Sequence, residues 1–170
     1  MADDTFTTAH EGAQPNGADT DPQIGLIAQY VKDLSFENPN APAVYQSPTA
    51  PQIDIQFHIG VAPVAEDVHE VTMKIEIRAV GDASSTMFAV ELVYAGLFGA
   101  RNVEPEALSP FLYAEAPRLL FPFARRIVAE VVRDGNFPPL LLDPIDFGAM
   151  YLQQAQAANQ LAEGEPAGQA

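Results

Sequence analysis

Residues 53–61 read IDIQFHIGV, and their alternation decides the fold. Ile53, Ile55, Phe57, Ile59 and Val61 fall on one side of an extended chain, while Asp54, Gln56 and His58 fall on the other. Successive side chains of a strand point to opposite faces, so this segment is a strand with one face against a core and one in water. The pattern repeats outward. Val71, Met73, Ile75 and Ile77 alternate with Thr72, Lys74, Glu76 and Arg78, and Phe88, Val90, Leu92 and Tyr94 alternate with Met87, Ala89, Glu91 and Val93. Upstream, Ala28, Tyr30, Leu34 and Phe36 are assigned to one face of a strand over 26–37, with Lys32 interrupting it and Asp33, Ser35 and Glu37 opposite. Glu66-Asp67 and Gly81-Asp82 are turn sequences between the later strands. Gly96 and Gly99 lack the spacing and lysine of a phosphate loop and are read as easing a turn at the end of the fourth strand. Four such strands predict an antiparallel sheet, buried on one face.

Beyond Arg101 the period changes from two to that of a helix. Glu104, Pro105 and Glu106 suit a helix start, and Asp134-Gly135 a stop. Between them Leu112, Ala116, Leu119, Phe123, Ile127 and Val131 recur at helical spacing, and Leu120, Ala124, Val128 and Val132 extend the apolar surface around the axis. Only Arg118, Arg125, Arg126 and Arg133 form a strongly polar stripe. A helix apolar around most of its girth needs cover on two sides. One small sheet supplies one side, and a second copy of the chain is the simplest source of the other. Pro117 and Pro122 are expected to kink or divide this stretch. A proline-rich linker follows, and Asp143 before Pro144 resembles the cap of a short final helix over about 144–157. The fold class is therefore α+β: a four-stranded antiparallel sheet, a long helix packed on one face and a short C-terminal helix.

The chain has 170 residues, 48% of them hydrophobic, which suits one domain with a core. Residues 1–22 hold five acids and 153–170 two, with no lysine or arginine in either, and almost no large apolar residue in the first. Both segments read as disordered acidic tails around a folded domain over 23–152. The net charge is −15, and the 23–152 body alone still carries −8. That balance opposes binding to nucleic-acid phosphates or an anionic membrane surface. No run approaches the 18 apolar residues of a membrane span, and the N-terminus lacks the blocks of a signal peptide. The chain has no cysteine, which removes disulfides and thiolate metal sites and suits a reducing compartment. A cytoplasmic protein is expected.

His10, His58 and His69 stand apart from any nucleophile motif, so no catalytic residue, metal site or cofactor is expected. Two features remain. The linker residues Phe137, Leu140, Leu141 and Leu142 are too apolar for an ordinary loop. They read either as a crossover covering the core or, with Phe123, Phe147 and Tyr151, as the wall of an open groove for extended apolar peptides. The solvated sheet face carries Asp33, Glu37, Asp54, Glu76 and Glu91 against Lys74 and Arg78. It reads either as a plain solvated surface or as a field that steers a basic partner.

KDLSFENPNAP at 32–42 and LLFPFARRIVAEVVRDGNFPPLLLDPIDF at 119–147, in that order around a four-strand pattern, resemble the SecB family of protein-export chaperones. The resemblance covers most of 26–152. It implies a homotetramer, a dimer of dimers with long helices sandwiched between sheets, that binds unfolded precursor proteins without ATP and delivers them to the SecA motor. It also implies that Asp33, Glu37 and Glu91 dock the zinc-bearing C-terminal tail of SecA. Ala89 stands in that surface where the family has a larger aliphatic residue. Positions that affect tetramer assembly match Val90, Leu92 and Tyr94. Two other readings stay open: a SecB-like chaperone dedicated to a toxin–antitoxin system, and a small-ligand enzyme on which the apolar linker forms a lid.

Overall fold

A computed structural model describes residues 20–163. The expected N-terminal tail over 1–22 therefore lies almost wholly outside the described residues, as do the last seven residues. The four strands are β1 (Gln23–Glu37), β2 (Gln52–Ala65), β3 (Val68–Val80) and β4 (Thr86–Arg101). They form one antiparallel sheet in the order β1-β4-β3-β2. The last three run as a meander. β1 lies against β4, so the two strands most distant in sequence are neighbours in space.

Alternation holds along most of β2, β3 and β4, with one register shift near each of their two turns, and is twice broken in β1. The shift at Val80 leaves Met87 as an extra residue of β4, so Met87, expected on the solvated face with Ala89 and Glu91, is buried. Register shifts between Leu26 and Ala28 and between Val31 and Asp33 leave Ile27 and Lys32 as extra residues opposite β4. Each bulge advances one strand by a residue and reverses which face later side chains occupy. Leu34 and Phe36 pair with Leu92 and Val90 on the helix side, as expected. Upstream of Lys32 it is Val31 that pairs with Tyr94 on that side, while Tyr30 and Ala28 pair with Ala95 and Leu97 on the outer side. The assignment of Ala28 and Tyr30 to the face of Leu34 is thus reversed by the bulge at Lys32.

β3 and β4 form the centre of the core. Val71, Met73, Ile75 and Ile77 lie beside Val90, Leu92 and Phe98, all buried against Ala116, Leu120, Ala124, Val128 and Val132 of the long helix. No polar or charged residue is buried among the described residues. β4 runs seven residues past Tyr94, so Gly96 and Gly99 are strand residues and not a turn. A Cβ on Gly96 would stand 2.8 Å from Leu120 Cδ2 and 2.9 Å from Phe98 Cε2. The missing side chain therefore lets the helix approach the sheet.

The long helix comprises α1 (Pro105–Pro110), a π-helical turn (Phe111–Glu115) and α2 (Ala116–Asp134). Pro117 has no N–H to offer, and immediately before it the Ala116 N–H bonds the Phe111 carbonyl five residues back. The division expected from the prolines thus falls at 111–115, whereas Pro122 lies inside α2 without dividing it. At the far end the left-handed residue is Asn136, with φ 63°, one position beyond the expected Gly135.

The last helix, α3 (Phe147–Glu163), starts later and ends later than expected. Its N-terminal cap is Asp146, whose carboxylate accepts the Ala149 N–H at 2.9 Å, and not Asp143. Burial of Leu142 and Phe147 sets this start, because Phe147 packs edge-on to Phe121 with ring centroids 5.7 Å apart. Continuation to Glu163 runs into the segment expected to be a tail from 153. The sequence LQQAQAANQLAE there is rich in alanine, glutamine and leucine, which favour helix without needing a buried face.

Candidate functional site

The outer face of the sheet is a grid whose rows are fixed by strand register. Glu37, Ala89, Arg78 and Asp54 make one row, and Ser35, Glu91, Glu76 and Gln56 the next. Asp33, Val93, Lys74 and His58 follow. The first two rows line a shallow concavity of about 410 Å³. Glu37, Ala89 and Glu91 meet there, from strands more than fifty residues apart, and Asp33 stands one row away.

Charge on this face is unevenly neutralised. Glu76 and Glu91 sit opposite each other on β3 and β4, where like charges repel. Lys74 resolves the conflict by placing Nζ 3.0 Å from a carboxylate oxygen of each. The Glu91 carboxylate first, and Glu76 second, hold the Lys74 ammonium above its usual pKa. Arg78 donates to Thr86 Oγ1 at 3.0 Å. Asp33 and Glu37, both exposed, make no ion pair among the described residues. The sheet face therefore has a balanced half on β3 and β4 and an unbalanced anionic edge on β1.

Farther along the same face, the bulge in β1 brings Tyr30 and Lys32 together on Glu70 of β3. The Tyr30 hydroxyl and the Lys32 ammonium each donate to one oxygen of the Glu70 carboxylate at 2.6 Å. Lys32, and then Tyr30, hold the Glu70 carboxyl below the usual carboxylate range, and the same carboxylate raises the Tyr30 hydroxyl. Nothing in the residue spacing reveals this network, since it exists only because the bulge puts Tyr30 on the outer face.

The second site lies at the end of the sheet, between two loops. One wall is the β1–β2 connection, with Tyr45 and the stretch 47–51; the other is the linker from Asn136 to Leu140. Ile53, Met87 and Phe88 form the floor of an open groove of about 590 Å³. Phe137 is central: its ring centroid lies 4.8 Å from that of Phe88 and 5.6 Å from that of Tyr45. Polar contacts fix the walls. Asn38 Nδ2 donates to the Tyr45 hydroxyl at 2.7 Å, which donates to the Gly135 carbonyl at 3.1 Å. Thr49 donates to Asp82 at 2.6 Å.

The expected groove residues separate into five locations. Phe137 and Leu140 line the groove together. Leu141, 65% exposed, lies on the other side of the linker, beside Arg125 and Arg133 of α2. Leu142 and Phe147 are buried in the core. Tyr151 stacks on Tyr113 at 5.9 Å, and Phe123 stacks on Tyr94 at 6.5 Å on another flank of α2. The linker thus serves both as core cover and as groove wall. The opposite wall, Tyr45 and 47–51, was not foreseen, because a loop has no hydrophobic period; an aromatic among prolines was its one signal. Val90, Leu92 and Tyr94 lie buried beneath α2 within one chain.

An apolar surface is left open beside α2. On the helix side of β1, Ile24, Leu26, Val31 and Leu34 are 36–45% exposed, as are Leu119 and Phe123 of α2 at 43% and 41%. No helix among the described residues is long and apolar enough to cross a membrane, and no group of three or more metal-binding side chains occurs among them.

A family model described as preprotein translocase subunit SecB matches residues 17–158. The protein-export protein SecB of Rhizorhabdus wittichii is 65% identical over 156 residues, covering 91% of this chain and 93% of its own. Those of Sphingopyxis alaskensis and Zymomonas mobilis are 58% and 59% identical; the first match covers the whole of both chains, the second 91% of this chain and 95% of the relative. Among solved structures, a SecB-like chaperone of Mycobacterium tuberculosis, in complex with a ChAD peptide from the HigA1 antitoxin, superposes with a TM-score of 0.60. At 16% identity, covering 72% of this chain and 90% of that one, it shares the fold.

Proposed function

The chain belongs to the SecB family of protein-export chaperones, and from that premise we propose that it is an ATP-independent holdase for unfolded precursor proteins. The observation that carries this reading is the open groove centred on Phe137, whose aromatic and aliphatic lining accepts varied apolar side chains without demanding one sequence. The neighbouring edge of β2 offers unpaired backbone groups to an extended client. Binding of this kind needs no cofactor or nucleotide.

The working assembly is a homotetramer, a dimer of dimers. The exposed apolar strip of β1 with Leu119 and Phe123 supports this, because a second copy would bury it. Val90, Leu92 and Tyr94 act on assembly from beneath, by setting the position of α2; Tyr94 does so through its stack with Phe123.

Delivery is to SecA in the cytoplasm. The exposed Asp33 and Glu37, with Ala89 and Glu91, receive its basic, zinc-bearing C-terminal tail. Ala89 contributes little apolar contact, so charge carries more of the recognition.

The deciding experiment measures the mass in solution together with binding of an unfolded polypeptide. A tetramer that binds non-native chains and releases the same protein when folded supports the proposal. A monomer that ignores unfolded chains overturns it. Dedication to a single toxin–antitoxin partner is the alternative, but the relatives that share well over half of this sequence carry the export name.

A further inference from the structure

We propose that Lys74 is an intramolecular competitor for the docking surface, occupying Glu91 until a cationic partner displaces it. This rests on the reading of Asp33, Glu37 and Glu91 as a dock for a basic tail. Of those three carboxylates, Asp33 and Glu37 make no ion pair among the described residues, whereas Glu91 is engaged by Lys74 Nζ at 3.0 Å. The engagement is not incidental. Glu91 faces Glu76 across the β3–β4 pair, and Lys74 bridges both carboxylates while remaining 37% exposed. The bridge is formed in the unliganded chain and open enough to be exchanged. An exposed ion pair is exchangeable because water and salt already compete for both members.

A basic tail would first meet the free carboxylates on β1, one strand away from Glu91. One of its ammonium or guanidinium groups would then replace Lys74 at Glu91, and Lys74 would remain on Glu76. The exchange trades one ion pair for another, so Glu91 contributes less affinity than its charge alone suggests. What it contributes is selection. A partner with one or two positive charges is satisfied at Asp33 and Glu37, whereas only a partner with a further, correctly placed charge gains from Glu91. Lys74 thereby sets the minimum charge pattern that the surface rewards.

The test is a double-mutant cycle with the isolated zinc-bearing tail of SecA, titrated into the full-length chaperone at low and moderate salt. Lys74→Met is expected to tighten binding about threefold to fivefold at low salt, the range open to an exposed ion pair. In a Glu91→Gln background the same substitution is expected to give a clearly smaller gain, because only the Glu76 carboxylate is then released. Lys74→Arg, which retains the bridge, is expected to bind like the parent. An absent gain, or an equal gain with and without Glu91, would show that Lys74 acts only as a distant charge and overturn the proposal. Loss of affinity in Asp33→Asn and Glu37→Gln is the separate measure of the dock itself. If those substitutions change nothing, the docking assignment fails first; if they weaken binding while the cycle shows no coupling, the competitor role alone fails.

Discussion

Gly135 stands against the ring of Phe36 so closely that any Cβ at position 135 would overlap it. Phe36 lies at the C-terminal end of β1 and Gly135 directly after α2, 99 residues later. The contact joins the two sequence blocks that carry the family resemblance, and the Asn38–Tyr45–Gly135 hydrogen bonds run beside it. The Phe36 ring cannot simply swing away, since it stacks on Phe88 at 6.1 Å. Gly135→Ala is therefore expected to cost about 1–3 kcal/mol through overpacking. Much of the loss should return in the double variant with Phe36→Leu. Urea midpoints of the three proteins check this, and equal destabilisation by the single and double variants would refute the contact.

The Glu70 network makes stability depend on pH at both ends. Its carboxyl is held below the usual range in the folded state, so the stabilisation is complete above the unfolded value, near 4.3. It is lost as pH falls through the lower folded value. Tyr30 has the opposite sign: its raised pKa gives stability that is present below about 10 and lost as pH rises through the folded value. Glu70→Gln should cost about 1 kcal/mol near neutrality, and the gap to the parent should close in acid. Tyr30→Phe should close its gap in alkali. Urea midpoints across pH 2–11 measure both, and gaps constant with pH would exclude the assignment.

The groove residues should separate in function as they do in space. Phe137→Ala removes the ring between Phe88 and Tyr45 and is expected to weaken binding of an unfolded polypeptide about tenfold, the effect of about 1.4 kcal/mol. Leu142→Ala empties a buried site and should cost about 2–5 kcal/mol of stability, with client affinity per folded molecule little changed. Titration calorimetry alongside thermal unfolding distinguishes the two. A Leu142 variant that folds normally yet loses clients would reverse these roles.

Charge reversal tests the dock. Asp33→Lys with Glu91→Lys should weaken binding of the SecA tail about tenfold or more at low salt and flatten its salt dependence, because both attraction and screening act through the removed charges. Unchanged affinity and an unchanged salt slope would remove these residues from the docking surface.

Assembly is expected to depend on the strip beside α2. Phe123→Asp puts an unpaired charge on that surface, where burial would be costly. Sedimentation should then show dimers or monomers in place of the tetramer at micromolar concentration. A variant that remains tetrameric would place the interface elsewhere.

Period-two alternation in 53–61, 71–78 and 88–94 was enough to assign the faces of β2, β3 and β4, and the acids on the outer face followed from counting. Those features depend only on neighbours along the chain, because strand geometry itself alternates. The long helix was readable for the same reason. Tertiary structure alone decided which strands adjoin. It placed β1 beside β4, so that Ser35 and Glu37 face Glu91 and Ala89, and introduced the bulge that turns Tyr30 towards Glu70. It also placed Tyr45 opposite Phe137 and divided the linker between core and groove. Strand partners and bulges are selected by packing between segments many residues apart, and the period of either segment carries no record of the other.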